Sequence, residues 1–577
     1  MRLLVLTVLF ALLANTGLTV SAEDRALVGQ SVPEFQLDNC YGKSIAWKDF
    51  EDKRLVAVVF LGTECPLAKL YGPRLNDIQE RFSDKGVQVI GINSNSQDSL
   101  TEIAAYVHRH HISFPMLKDP GSRVADQFRA ERTPEVFLLD SERKIRYHGR
   151  IDDQYGVGYS REREASPELV NAIEDLLAGK PIAVPNTEAV GCHIGRLKTL
   201  EPHGDVTYTK HIAPIMNAHC VSCHREGEIA PFTLSSYDDL IGWEETILEV
   251  LDDKRMPPWS ANPAHGSFSN DPSLSPEDRQ LLETWVDNGM PEGDAKDLPP
   301  TPNWTPGWQI PEPDQIVKMD KVPFDVPAEG IVDYQRFIVD PGWKEDKYIT
   351  AAEARPDCRT VVHHILVYVI PEGATRQDLR QIVAGYAPGT PPIELTDGIA
   401  IRVAANSRLL FEMHYTPNGS AQKDLSYAGF CFTEKENVRR VLTGQLAINT
   451  RFKIPPGDAN HVVLANYISR QDEQLVSMTP HMHVRGKSFR YEAQFPDGRK
   501  QVLLDVPNYD FNWQLKYFLK EPLTLPAGTR ILCTAVFDNS EANLTNPDPN
   551  KEVRWGDQSF EEMMIGFMDT IPLKNNL

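Results

Sequence analysis

Six histidines follow residue 315, and five of them fall in three tight clusters. The clusters are Val361-Val362-His363-His364-Ile365-Leu366-Val367-Tyr368, Leu410-Phe411-Glu412-Met413-His414-Tyr415 and Met478-Thr479-Pro480-His481-Met482-His483; only His461 stands apart. The apolar residues around each cluster read as strands. On a strand, residues i and i+2 share a face, so His481 and His483 can offer two imidazoles to one ion without distorting the backbone. Neighbouring residues face opposite ways. His363 and His364 can therefore share an ion only across a bulge, or with one ring binding through Nδ1 and the other through Nε2. His414 would complete a three-nitrogen set. Two imidazoles alone suit zinc, copper, nickel or iron, and a thioether narrows the choice toward Cu(I). Glu561-Glu562-Met563-Met564 supplies one. The plain alternative is a half-buried strand with histidines on its polar side.

From Ile316 onward the pattern is β: short apolar runs separated by turns such as Pro455-Pro456-Gly457, Pro496-Asp497-Gly498 and Pro526-Ala527-Gly528. A His-His pair, a His-Tyr strand, a His-x-His and a late Glu-Met follow one another in order. This arrangement resembles the copper type II, ascorbate-dependent monooxygenases, the family of the peptidylglycine and dopamine hydroxylases. The resemblance implies two all-β, jelly-roll-like sandwich subdomains, residues 316–440 and 441–577, and two copper ions per chain. It implies that His363, His364 and His414 hold an electron-transfer copper, and that His481, His483 and Met563 hold the catalytic, oxygen-binding one. Met563 is preferred to Met564 because it matches the family's Glu-Met position; spacing alone does not decide. Thr479 stands where peptide-hydroxylating members carry an Arg for the substrate carboxylate. Ile565 and Phe567 replace an Asn and a Tyr. The copper chemistry carries over and the peptidylglycine substrate does not.

The rest of the chain reads as further domains. Met1–Ala22 has one Arg, an apolar run and a small-residue end, the pattern of a secretory signal peptide. No later stretch approaches the length of a spanning helix. The expectation is a periplasmic or extracellular protein. A net charge of −22 argues against nucleic-acid partners.

Residues 23–185 alternate strand and helix, with strands Leu55–Leu61, Val87–Asn93 and Val136–Asp140 and helices Pro73–Ser83 and Ser99–His110. Phe60-Leu61-Gly62-Thr63-Glu64-Cys65-Pro66-Leu67 opens a helix after a strand, and Arg132-Thr133-Pro134-Glu135 follows later. Together they resemble the redoxin branch of the thioredoxin fold. A helix N-terminus favours a thiolate, so Cys65 is the candidate redox thiol. Ala68 replaces the second Cys of the two-Cys motif, and Gly62 the Thr of the peroxidatic motif. Cys192, or Cys40, is the remaining candidate partner. His108, His110 and His111, at a helix end, read as solvent-facing.

After a linker at 186–205, residues 206–297 contain Cys220-Val221-Ser222-Cys223-His224, the c-type haem signature: two thioethers and an axial His. Met256, in Arg255-Met256-Pro257-Pro258, is the expected sixth ligand, ahead of Met216 and Met290. Ser275 and Pro276 start a closing helix that ends at Gly289. The expected body is a small all-α cytochrome c domain with one covalent haem. Residues 298–315 read as a Pro-rich connector. A disulfide between Cys358 and Cys431 is expected within the first sandwich.

The composite reads as a copper monooxygenase that hydroxylates a C–H bond of a small organic substrate with O2. Ascorbate or a redox protein would be the one-electron donor, with the haem domain feeding the three-His copper. Two alternatives stay open: a thiol–haem–copper relay or metal-handling protein that does not hydroxylate, and a thiol peroxidase or disulfide enzyme working through Cys65.

Overall fold

A computed structural model describes residues 27–161, 163–197, 201–228, 230–302, 307–374, 381–387 and 390–574; the signal-peptide reading lies outside them. The N-terminal region is an α/β domain of the thioredoxin type. Its seven-stranded sheet runs Ser44–Ala46, Gln36–Asn39, Met116–Lys118, Val87–Asn93, Leu55–Phe60, Glu135–Asp140, Ile145–Gly149. Leu55–Phe60 is buried at every residue, as a strand covered on both faces must be. It pairs in parallel with Val87–Asn93 and antiparallel with Glu135–Asp140. One apolar core lies on each side of the sheet.

The first helix is Pro66–Phe82, not 73–83. Pro73 lies inside it, although proline usually marks a helix start. Lacking an N–H, Pro73 leaves the Lys69 carbonyl without its helical donor. The second helix, Leu100–Arg109, begins as expected, with reciprocal bonds between Ser99 and Glu102.

Helices Ala213–His219, Tyr237–Leu240, Glu244–Asp252 and Pro276–Asp287 gather round Trp285, Met216 and Met290. Beyond residue 314 the described residues form β-strands, apart from one 3-10 turn at Lys435–Asn437. The strands Gln315–Lys318, Tyr427–Thr433, Lys347–Arg355, Ile399–Val403 and Arg440–Val441 form one sheet, with Ile393–Glu394 on its side. Gln335–Val339, Arg408–Tyr415, Val362–Ile370 and Ile382–Tyr386 form a second, and one core fills the space between the two. A second pair of four-stranded sheets encloses its own core. One holds Thr443–Ile448, Ile565–Pro572, Glu473–His481 and Tyr517–Leu525; the other holds His461–Ile468, Arg530–Phe537, Gly486–Gln494 and Lys500–Val506.

Two expectations need correction. Cys358 and Cys431 are both free thiols. Cys358 Sγ faces Thr360 and Gln422, whereas Cys431 Sγ faces the Pro311 carbonyl. They share a subdomain but not a neighbourhood. His110 is buried at 4% exposure and stacks on Tyr106. It packs where Gly419 of the first sandwich meets the redoxin domain. Burial, the largest cause, pushes its pKa down to about 4. His108 and His111 are exposed. Helix-end position said nothing about the neighbouring domain that covers His110.

Candidate metal centres and thiol pair

His363, His364 and His414 converge, and their ligating atoms lie within 4.8 Å of one another. The strand Val362–Ile370 slips register against Arg408–Tyr415 between Val362 and His364. His363 is thus the bulged residue that the tandem pair requires. All three rings turn Nδ1 inward: His363 Nδ1 is 3.1 Å from His364 Nδ1 and 3.2 Å from His414 Nδ1. Two donors about 2.0 Å from one tetrahedral ion would stand about 3.3 Å apart, so the spacing fits a shared ion. The outer edges are also held. His364 Nε2 lies 3.3 Å from the Tyr334 hydroxyl, and His363 hydrogen-bonds the Asn512 backbone. Burial, reinforced for His364 and His414 by their histidine neighbours, pushes all three pKa values down, that of His363 to about 4. Neutral rings with inward lone pairs are what a metal site requires. Without one, each unsatisfied buried nitrogen costs about 1–3 kcal/mol.

His481 and His483 are held with the opposite polarity. His481 Nδ1 donates to Gln514 Oε1 at 2.6 Å, and His483 Nδ1 donates to the Glu561 carbonyl at 3.2 Å. Each Nδ1 is occupied, which leaves Nε2 as the ligating atom. Burial holds both pKa values below the ordinary histidine value, that of His483 at about 3. Glu562 accepts the backbone N–H groups of His483 and Arg485 at 2.8 and 2.7 Å and so fixes the loop after the His-x-His. Thr479 pairs with Phe567, Pro480 with Gly566 and His481 with Ile565. The paired stretch ends there, and Met563 lies two residues before Ile565 as His483 lies two after His481. Met564 is wholly buried in the second core, while Met563 is part-exposed and lies outside that core.

Tyr334 and Phe511 stand between the two sets. The Tyr334 ring stacks on His414 at 5.0 Å and lies 6.1 Å from His483; Phe511 lies 5.3 Å from His414 and 6.1 Å from His483. Gln514 Nε2 reaches the Tyr334 hydroxyl at 3.4 Å. A chain of contacts therefore runs His364–Tyr334–Gln514–His481. None of Tyr334, Phe511, Asn512 and Gln514 was marked by the sequence. Each is an ordinary residue brought in by tertiary contact.

A cleft open to solvent runs between the two sandwiches and reaches both His364 and His481. Leu366, Ile382, Phe518 and Phe567 make it apolar. Its Lys516 is paired with Asp569 at 2.5 Å, and Asp569 also accepts from Ser477. The Tyr386 and Thr390 hydroxyls on its wall have no hydrogen-bond partner among the described residues.

In the helical region, His224 Nδ1 donates to the Phe232 carbonyl at 3.1 Å, which leaves Nε2 for an iron. Burial pushes the Cys220 thiol up to about 12. Met216 and Met290 are core residues, whereas Met256, which precedes a cis proline, is part-exposed and lies outside that core. The donor set fits a covalent haem held by Cys220, Cys223 and His224.

Cys65 caps the Pro66–Phe82 helix and is 1% exposed. Its Sγ lies 2.9 Å from the Thr133 carbonyl, just before the cis Thr133–Pro134 bond. Burial alone would raise its pKa. Hydrogen bonds from the Cys192 thiol and from the Ala68 and Cys192 backbones outweigh this and bring it down to about 6, while Cys192 is pushed up. Cys40, at a strand end beside Tyr41, takes no part.

A sequence profile of the AhpC/TSA family matches residues 28–148. The thiol-disulfide oxidoreductase ResA of Halalkalibacterium halodurans is 30% identical over 153 residues, 26% of this chain and 82% of that protein. The ResA of Bacillus cereus is 27% identical over 125 residues, 22% of this chain and 70% of that protein. Among solved structures, a hypothetical protein from Sinorhizobium meliloti is similar at 29% identity. The match covers 29% of this chain and 93% of that one, with a TM-score of 0.27.

Proposed function

This chain belongs, through its N-terminal domain, to the AhpC/TSA family and its ResA-like thiol-disulfide oxidoreductases, and we propose that its C-terminal half is a copper-dependent monooxygenase. The observation that carries the reading is the pairing of two imidazole sets of opposite polarity, three inward Nδ1 atoms on one side of Tyr334 and Phe511 and two imidazoles with Nδ1 already hydrogen-bonded on the other. His363, His364 and His414 would hold one copper, and His481, His483 and Met563 the other; the thioether favours copper over zinc. Bound copper supplies one-electron redox chemistry and oxygen activation. The chain's own residues then set what reacts. The cleft lining is largely apolar, and the only lysine among its described lining residues is neutralised by Asp569. The substrate is thus an uncharged, largely apolar molecule, oriented by the Tyr386 and Thr390 hydroxyls.

The helical region would carry a haem on Cys220, Cys223 and His224, with Met256 as sixth ligand. No helix among the described residues is long and apolar enough to cross a membrane; export by the 1–22 segment is part of the proposal. The test is oxygen uptake by the copper-loaded chain with ascorbate and a panel of neutral apolar compounds. Uptake matched mole for mole by a hydroxylated product supports the reading. No product from a chain that holds both coppers would sink it.

The juxtaposed Cys65 and Cys192 favour a second reading, in which the redoxin domain is the working end and copper is cargo. In that case Cys65→Ser would abolish activity and His481→Ala would leave it intact.

A further inference from the structure

A polypeptide that approaches Cys65 must run along the backbone edge at 131–133, because the Thr133 carbonyl is the group in contact with the sulfur. Strand addition along such an edge is antiparallel here, and the residue that presents a sulfur to Cys65 must stand opposite Thr133. That position is filled. Cys192 pairs with Thr133 and His193 with Arg132, and Ile194 N–H donates to the Glu131 carbonyl at 2.9 Å. We infer that residues 190–194 of the chain itself are the resident occupant of the redoxin groove. They present Cys192 to Cys65 as an in-cis disulfide partner and close the site to external polypeptides.

The groove is built for this segment. Gly191 has φ 155°, and a Cβ there would lie 2.0 Å from the Thr133 carbonyl oxygen, so no other residue tolerates the approach. Arg132 Nη1 holds the Gly191 carbonyl at 2.8 Å. Ile194 is 1% exposed in the redoxin core. Gly195 N–H donates to Asn95 Oδ1 at 3.1 Å. From outside, the helix Glu244–Asp252 seals the strand: His193 meets Glu249 at 2.5 Å and Thr246 Oγ1 at 3.2 Å, and Arg132 meets Glu249 at 3.0 Å. The second cysteine that Ala68 denies to the helix is thus supplied from the linker.

The chemistry balances with a small dialkyl disulfide as oxidant. The Cys65 thiolate attacks one sulfur, breaks the S–S bond and releases one alkyl thiolate. Cys192 sulfur then attacks Cys65 sulfur and displaces the second alkyl group as its thiolate, which takes the Cys192 proton. Two electrons pass from the cysteine pair to the dialkyl disulfide, and a Cys65–Cys192 bond forms. This inference does not depend on copper.

The test uses the full chain. Oxidised with cystamine and mapped by mass spectrometry, wild type should show an intramolecular Cys65–Cys192 link, and hydrogen exchange should find the amide of Ile194 protected like the sheet. With a dithiol reductant, Gly191→Val should reduce insulin about tenfold faster than wild type, because the strand no longer competes for the groove. Equal insulin rates in a folded Gly191→Val would overturn the inference. If that variant does not fold, wild type still decides: a Cys65 link to Cys40, or a 190–194 segment that exchanges as fast as a free linker, overturns it too.

Discussion

The two imidazole sets differ in how the fold makes them. The three-His set is complete within one sheet: a bulge in Val362–Ile370 and one residue of Arg408–Tyr415 supply all three donors. The His481–His483 set is unfinished on its own strand. It takes its orientation from Gln514 and the Glu561 carbonyl, and under the proposed function its third donor would be Met563, just before the partner strand Ile565–Pro572. The first is set by a short-range backbone irregularity and the second by long-range packing. A closed nitrogen-only set suits an ion that only changes charge. A soft third donor would suit the ion that binds oxygen; both sets reach the cleft, through His364 and His481.

The largest effect should come from removing ligands. His414→Ala should halve the copper content and leave the His481 centre; His481→Ala should halve it and leave the other. Both should abolish product, as atomic absorption and a turnover assay would show. If either variant loses both ions, the centres are not independent. A smaller effect should follow removal of a support. Gln514→Leu should weaken copper at the His481 centre by about 10–100-fold, the usual cost of losing an outer-shell partner, and change the three-His centre far less. Copper titration of each single-centre variant separates the two.

Acid should act on both sets at once. Burial depresses these histidines, so between pH 6.5 and about 3 the folded, metal-free chain binds fewer protons than the unfolded one. Their contribution to stability is present above pH 6.5 and is lost as pH falls through that window. The Tm of the apo chain should drop across it, and copper should move the onset to lower pH. A flat Tm would mean that the imidazoles are not dry. Away from both centres, Cys65 should react with iodoacetamide with a midpoint near pH 6, and Cys192→Ser should shift that midpoint upward without changing copper content.

The sequence was informative where chemistry repeats on a short period. The i, i+2 spacing put His481 and His483 on one face, the tandem pair demanded a bulge or mixed nitrogens, and buried apolar runs marked the strands round Leu55–Phe60. It was uninformative where distance in the chain decides. Gln514, Asn512 and Phe511 are common residues on one loop that reaches His481, His363 and His414. Cys192 was only one of two candidates until its strand was seen against Thr133. His110 misled because a neighbouring domain buries it, and Pro73 because proline is tolerated inside that helix.

The central claim is two unlike coppers, one of them with a sulfur donor. X-ray absorption on the Cu(I)-loaded His414→Ala chain, with EPR of its Cu(II) form, tests it most directly. The account predicts one copper per chain with a sulfur scatterer that disappears in His414→Ala/Met563→Ile and persists in His414→Ala/Met564→Ile. A nitrogen-only shell in His414→Ala would contradict it.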